Sequence, residues 1–105
     1  MTMNKKEIVI TSATRTAVGS LGKTLKNTPG EELGASVISE AIKRSKIENK
    51  DVDEVIMGQV LTGAVGQNPA RQAAMKSGIP KEKSAYVVNQ VCGSGIRSIA
   101  SGYQS

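Results

Sequence analysis

Blocks of β-branched residues alternate along this chain with stretches whose apolar positions recur every three to four residues. The first block, Ile8-Val9-Ile10 within Glu7 to Ala13, predicts a buried strand. Thr14 to Asn27, rich in Gly, Thr and Lys, reads as a loop. Thr28-Pro29-Gly30-Glu31 then predicts a helix start, with Thr28 capping, Pro29 in the first helical position and Glu31 closing a capping box. From there Leu33, Val37, Ala41 and Ile42, with Ile38 at the border, oppose Glu32, Ser36, Ser39, Glu40 and Lys43, as in an amphipathic helix running to about Ser45. Ile47 to Asp53 is a polar connection, and Glu54 to Leu61 is a second strand. After the glycine-containing loop Thr62 to Gln67, Asn68-Pro69 starts an Ala-rich helix that stops at Gly78, with Pro80 just beyond. Ala85 to Val91 is a third strand, and Ile96, Ile99, Ala100 and Tyr103 mark one face of a last helix.

Strands alternating with helices predict an α/β fold, βαβαβα, with a mostly parallel sheet covered by helices and right-handed crossovers. In such sheets, chemistry gathers at the carboxyl ends of strands. Composition agrees. At 105 residues the chain has the length of one domain, and with no Trp, no Phe and two Tyr its core must be Val, Ile, Leu, Met and Ala, which suits a parallel sheet. No apolar run approaches the roughly 18 residues of a membrane span. Lys5-Lys6-Glu7 interrupts any secretory signal core. One cysteine makes neither an internal disulfide nor a metal cluster, so a cytoplasmic setting is the default expectation. The net charge of +5 is spread thinly and aromatics are nearly absent, which gives little support to nucleic-acid binding. A mildly positive field would suit a phosphate-bearing small molecule, although a solvated surface explains the same charges more simply.

The single cysteine is where the pattern becomes chemical. Cys92 falls where the third strand hands over to the last helix, a place where free N–H groups and the positive end of the helix dipole converge. A thiol there is expected to have a lowered pKa, and Gly93 and Gly95 leave room for a substrate, so Cys92 is a candidate nucleophile. The competing reading is a small buried hydrophobe. A nucleophilic cysteine needs a proton acceptor, yet the chain has no histidine, and no Lys, Asp, Glu or Tyr has a placement that argues for that role. Two glycine loops compete for attention. Ala17-Val18-Gly19-Ser20-Leu21-Gly22-Lys23-Thr24 ends like a phosphate-binding P-loop, but Ala17 replaces its first glycine and Pro29 leaves no room for the helix it requires. Gly63 to Asn68 is better read as a turn that needs glycine dihedrals than as an anion cradle.

Val88-Asn89-Gln90-Val91-Cys92-Gly93-Ser94-Gly95-Ile96-Arg97 resembles the acyl-enzyme segment of the thiolases, the acetyl-CoA C-acetyltransferase family. Ala13-Thr14-Arg15-Thr16-Ala17-Val18-Gly19 is similar to that family's first strand and loop, with Ala17 where proline is usual. Glu54 to Val60 and Gly66 to Ala73 are similar to further family segments, so the resemblance covers nearly the whole chain. It implies that Cys92 attacks the thioester of acetyl-CoA and becomes acetylated, with its backbone N–H contributing to an oxyanion hole. A second acetyl-CoA then yields acetoacetyl-CoA and CoA, or the sequence runs in reverse as thiolysis. It implies CoA thioesters as substrates, no cofactor, no metal, no nucleic-acid or membrane partner, and a homo-oligomeric (dimeric or tetrameric) full-length enzyme. The family's activating histidine and second cysteine lie far downstream of this motif. Residues 1–105 therefore read as an incomplete N-terminal thiolase domain, ending inside the helix after Cys92 and inactive alone. Such a piece is expected to leave an open sheet edge and uncovered helix faces that promote association. The alternatives are a non-catalytic relic or interaction module and, less favoured, a nucleotide-binding α/β domain.

Overall fold

The computed structural model describes residues 6–105, so Lys5 lies outside the described residues. In chain order it contains α1 (Gly30–Ser45), a single 3-10 turn (Asn49–Asp51), β1 (Glu54–Gly58), α2 (Pro69–Lys76), β2 (Ser84–Val88) and α3 (Ser94–Gln104). β1 and β2 pair in parallel, in a register that sets Glu54 opposite Ser84 and Gly58 opposite Val88. α2 is the crossover between them, so the βαβ unit predicted from the alternation is present.

The first predicted strand is not. Residues 7–13 belong to neither strand of the sheet, and Ile8, Val9 and Ile10 are 54, 65 and 79% exposed rather than buried. A β-branched run becomes a strand only beside a backbone that accepts its hydrogen bonds, and β1 and β2 pair only with each other. The segment is instead tethered by side chains: Ser12 Oγ donates to Ala41 O (2.9 Å) and Thr14 Oγ1 to Val37 O (2.9 Å), which lays it along α1.

The ends of the helices follow from local chemistry. α1 begins one residue later than the capping-box reading. Pro29 (φ −61°, ψ 151°) is itself the N-cap and no side chain caps the helix, so Thr28 does not play that part. The Pro29 carbonyl accepts the N–H groups of Glu32 (3.1 Å) and Leu33 (3.2 Å). α2 starts as read: Asn68 Oδ1 accepts the Arg71 N–H (3.1 Å), and Asn68 Nδ2 donates to Ala85 O (3.0 Å), tying the helix start to β2. It stops as read too. Gly78 takes φ +86°, Gly78 N–H donates to Met75 O and Ile79 N–H to Ala74 O, both at 3.1 Å, which is a Schellman closure.

The core is small. Val55 and Ile79 pack with Ala74, flanked by the half-buried Ile38, Ile42, Val52, Met57, Met75 and Ala85. Burying a side chain the size of Val55 or Ile79 stabilises by about 1.5–3 kcal/mol. α2 contributes Ala70, Ala73 and Ala74, all nearly fully buried. The lack of bulk lets α1 and α2 lie close: a methyl on Gly34 would sit 3.0 Å from Ala73 Cβ.

α3 packs on the sheet with the face opposite to its apolar stripe. Ser94, Ser98 and Ser101 are shielded on that face, Ala100 of the predicted stripe is half-buried too, and Ser105 Oγ donates to Glu54 Oε2 (3.1 Å). Ile96, Ile99 and Tyr103 point to solvent at 79, 62 and 67% exposure. The stripe exists, as the spacing predicted, and it stays largely exposed, with the exposed segment Ile8–Ile10 alongside Ile99 and Tyr103.

Candidate active site

β1 ends at Gly58 and β2 at Val88, each three residues short of the strand read from sequence, because α3 crosses the carboxyl edge there. Gly58 makes the crossing possible. A methyl group on it would lie 2.5 Å from the carbonyl carbon of Ser94 and 2.7 Å from the nitrogen of Gly95. The start of α3 is thus pressed directly onto the end of β1.

The link between β2 and α3 is a tight turn from Asn89 to Gly93. Val91 within it adopts φ +50°, which is rare for a β-branched residue. Gly93 N–H donates to Gln90 O (3.0 Å) and Ser94 N–H to Val91 O (3.1 Å). Asn89 Oδ1 accepts the Val91 N–H (2.9 Å), and its Nδ2 donates to Val60 O (3.3 Å) just past β1. Ser94, only 4% exposed, accepts the Gln90 N–H on its Oγ (2.8 Å) and donates that hydroxyl to Val91 O (2.7 Å).

Cys92 sits at the crest of this turn, with a free and exposed thiol. Among the described residues the thiol is therefore not part of a core. Cys92 stands at the strand-to-helix junction, with Gly93 the N-cap and Ser94 the first helical residue, but it does not follow the strand directly, since β2 ends four residues earlier at Val88. The sulfur still lies at the amino end of α3 and at the carboxyl edge of the sheet. Asn89, Val91 and Ser94 escaped the sequence reading as parts of the site. The signal for Ser94 was available, since a hydroxyl residue at a helix start following a strand commonly bonds back to nearby backbone.

The concave surfaces lie elsewhere. An apolar cavity of about 360 Å³ opens between the starts of α1 and α2 and the end of β1, lined by Leu33, Gly34, Val37, Met57 and Ala73. A polar one of about 560 Å³ lies beside Arg15 and Arg44. A third lies between Ile8–Ile10 and the Ile99 and Tyr103 face of α3. Cys92 lines none of these three. No group of three or more His, Cys, Asp or Glu side chains among the described residues could hold a metal ion. None of the described helices is long and apolar enough to cross a membrane. The P-loop reading fails on geometry: Leu21 to Thr28 is a series of turns, and the first helix starts only at Gly30. Gly66, at φ +81°, is a turn glycine whose loop is held by Gln72 Nε2 donating to Val65 O (2.8 Å) and Gln67 O (2.9 Å).

Comparison with known proteins fits this arrangement. The model of the thiolase N-terminal domain matches residues 8–105. The acetyl-CoA acetyltransferase of Rhizobium meliloti (strain 1021) is 55% identical over 102 residues, which are 97% of this chain and 26% of that protein. The acetyl-CoA acetyltransferase of Escherichia coli (strain K12) is 52% identical over 100 residues, 95% of this chain and 25% of that protein. Among solved structures, the acetyl-CoA acetyltransferase of Bacillus anthracis superposes with a TM-score of 0.85 at 39% identity, over 90% of this chain and 24% of that one. The Acat5 thiolase of Ascaris suum, solved in complex with coenzyme A, gives a TM-score of 0.79 at 40% identity, over 81% of this chain and 22% of that one. The chain spans about a quarter of the length of the curated relatives it matches.

Proposed function

The chain belongs to the thiolase family by its N-terminal domain, and on that premise we propose that it supplies the acyl-accepting cysteine of an acetyl-CoA C-acetyltransferase. The observation that carries this reading is the exposed Cys92 at the crest of the turn between β2 and α3. The Cys92 sulfur attacks the thioester carbonyl of acetyl-CoA. A bond forms between sulfur and the acetyl carbon, the bond to the CoA sulfur breaks, and CoA leaves. The backbone N–H of Cys92 donates to the oxyanion that develops during the attack. A second acetyl-CoA, deprotonated at its α-carbon, takes the acetyl group to give acetoacetyl-CoA, and the reverse sequence is thiolysis. With no histidine and no second cysteine in its sequence, this chain carries neither of the family groups that move these protons, so the 105 residues alone do not turn over.

A chimera tests the proposal. Residues 8–105 replace the matching quarter of the Escherichia coli relative, whose remainder provides the missing groups. The chimera should cleave acetoacetyl-CoA with CoA and, given acetyl-CoA alone, carry one acetyl group on Cys92 by peptide mass analysis. Cys92→Ser should lose both. A chimera that elutes and melts like its parent yet never acetylates Cys92 would refute the reading.

A further inference from the structure

We propose that Ser94 is a positioning residue, whose hydroxyl holds Val91 in its left-handed conformation and so sets where the Cys92 sulfur stands. The inference rests on the reading of Cys92 as the acyl acceptor and deepens it by assigning the turn a support. A β-branched side chain at φ +50° costs of order 1–3 kcal/mol and persists only where its surroundings over-determine it. Those surroundings are few. The Val91 N–H is fixed by Asn89 Oδ1 (2.9 Å), and the Val91 carbonyl by two groups of one residue, the N–H (3.1 Å) and Oγ (2.7 Å) of Ser94. The same Oγ accepts the Gln90 N–H (2.8 Å), so a single hydroxyl links the Val91 carbonyl to the peptide that precedes Gln90 and spans the strained residue together with its predecessor.

Ser94 is suited to this because it is buried and closely packed. It is 4% exposed and its backbone is pressed against Gly58 at the end of β1. Asn89, by contrast, is exposed and reaches across to Val60 past β1. The rigid side of the clamp is therefore Ser94. Cys92 itself needs no side-chain tether, because its position follows once Val91 on one side and Gly93 on the other are fixed.

A double-mutant cycle separates this from a general structural role. The readout is the rate at which iodoacetamide alkylates Cys92 in the folded chain, measured by intact mass, with the urea-unfolded chain as reference. Ser94→Ala should move that rate about two- to tenfold toward the unfolded value, the range expected when a buried hydrogen bond is lost. Amide exchange at Gln90 should speed up in parallel. Val91→Gly removes the strain, because glycine takes positive φ without penalty. The fold-change caused by Ser94→Ala should therefore be clearly smaller in the Val91→Gly background. Equal fold-changes in both backgrounds, or no change in either, would overturn the proposal. Should Ser94→Ala unfold the chain, the double variant, free of strain, still has to fold for the proposal to stand. The acyl-acceptor reading is tested independently by the chimera, so a chimera that is never acetylated beside a non-additive cycle would remove the reaction and leave the clamp.

Discussion

Gly58→Ala tests how tightly the reactive turn is set against the sheet. The added methyl would begin 2.5 Å from the Ser94 carbonyl carbon, 2.6 Å from its oxygen and 2.7 Å from Gly95 N. Carbon atoms rest at about 3.5 Å or more, so the start of α3 must withdraw by about 1 Å. All three obstructing atoms are backbone, so no rotamer change relieves the clash. Forcing extra volume into a packed contact costs about 1–3 kcal/mol. Alanine returns less than about 1 kcal/mol by stiffening the unfolded chain, so the net effect is destabilising. Urea denaturation followed by circular dichroism should show that loss, and Cys92 alkylation should change as the turn follows α3 outward. Gly63→Ala is the control, because its methyl would meet nothing within 4 Å. A Gly58→Ala chain as stable as the parent, with Cys92 alkylated at the same rate, would refute the close crossing of α3 over β1.

The other expectations are simpler to state. Asn68→Ala removes the cap of α2 and its tie to Ala85, and should cost about 1–2 kcal/mol in the same denaturation assay. Gly95→Ala, in the first turn of α3 with open space around it, should stabilise the chain by about 0.5–1 kcal/mol in a thermal melt. Sedimentation should find the chain associated at micromolar concentration through its uncovered faces, and Ile99→Lys, on the exposed stripe of α3, should shift it toward monomer. Titration calorimetry with ATP should give no heat of binding, since no helix begins directly at the Gly-Lys-Thr turn.

What the sequence made legible was whatever depends on neighbours along the chain. Asn68, Pro69 and Gly78 bracket α2 because capping and left-handed closure are local events. Cys92 was placed at the strand-to-helix junction by the change of period on either side of it. What escaped depends on contacts made at a distance. Ile8-Val9-Ile10 has the composition of a strand, but pairing is a property of two segments. The outward turn of Ile96, Ile99 and Tyr103 could not be read from spacing either. Periodicity reports that a stripe exists, while the small face carrying Ser94, Ser98 and Ser101 is the one that fits against β1. The same limit applied to Pro29, whose extended ψ of 151° takes the capping position that Thr28 was expected to fill.

The parallel pair and its crossover occupy one unbroken stretch, Glu54 to Val88, sealed at both ends of α2 by its own hydrogen bonds. The backbone partners within β1, α2 and β2 have all been synthesised by Val88, and only the cover that α3 lays on β1 follows later. Cys92 emerges four positions later, onto a platform that is waiting for it. Pulse-labelling of nascent chains stalled before and after Val88 would date the two events, and the order they give should be sheet first, thiol second.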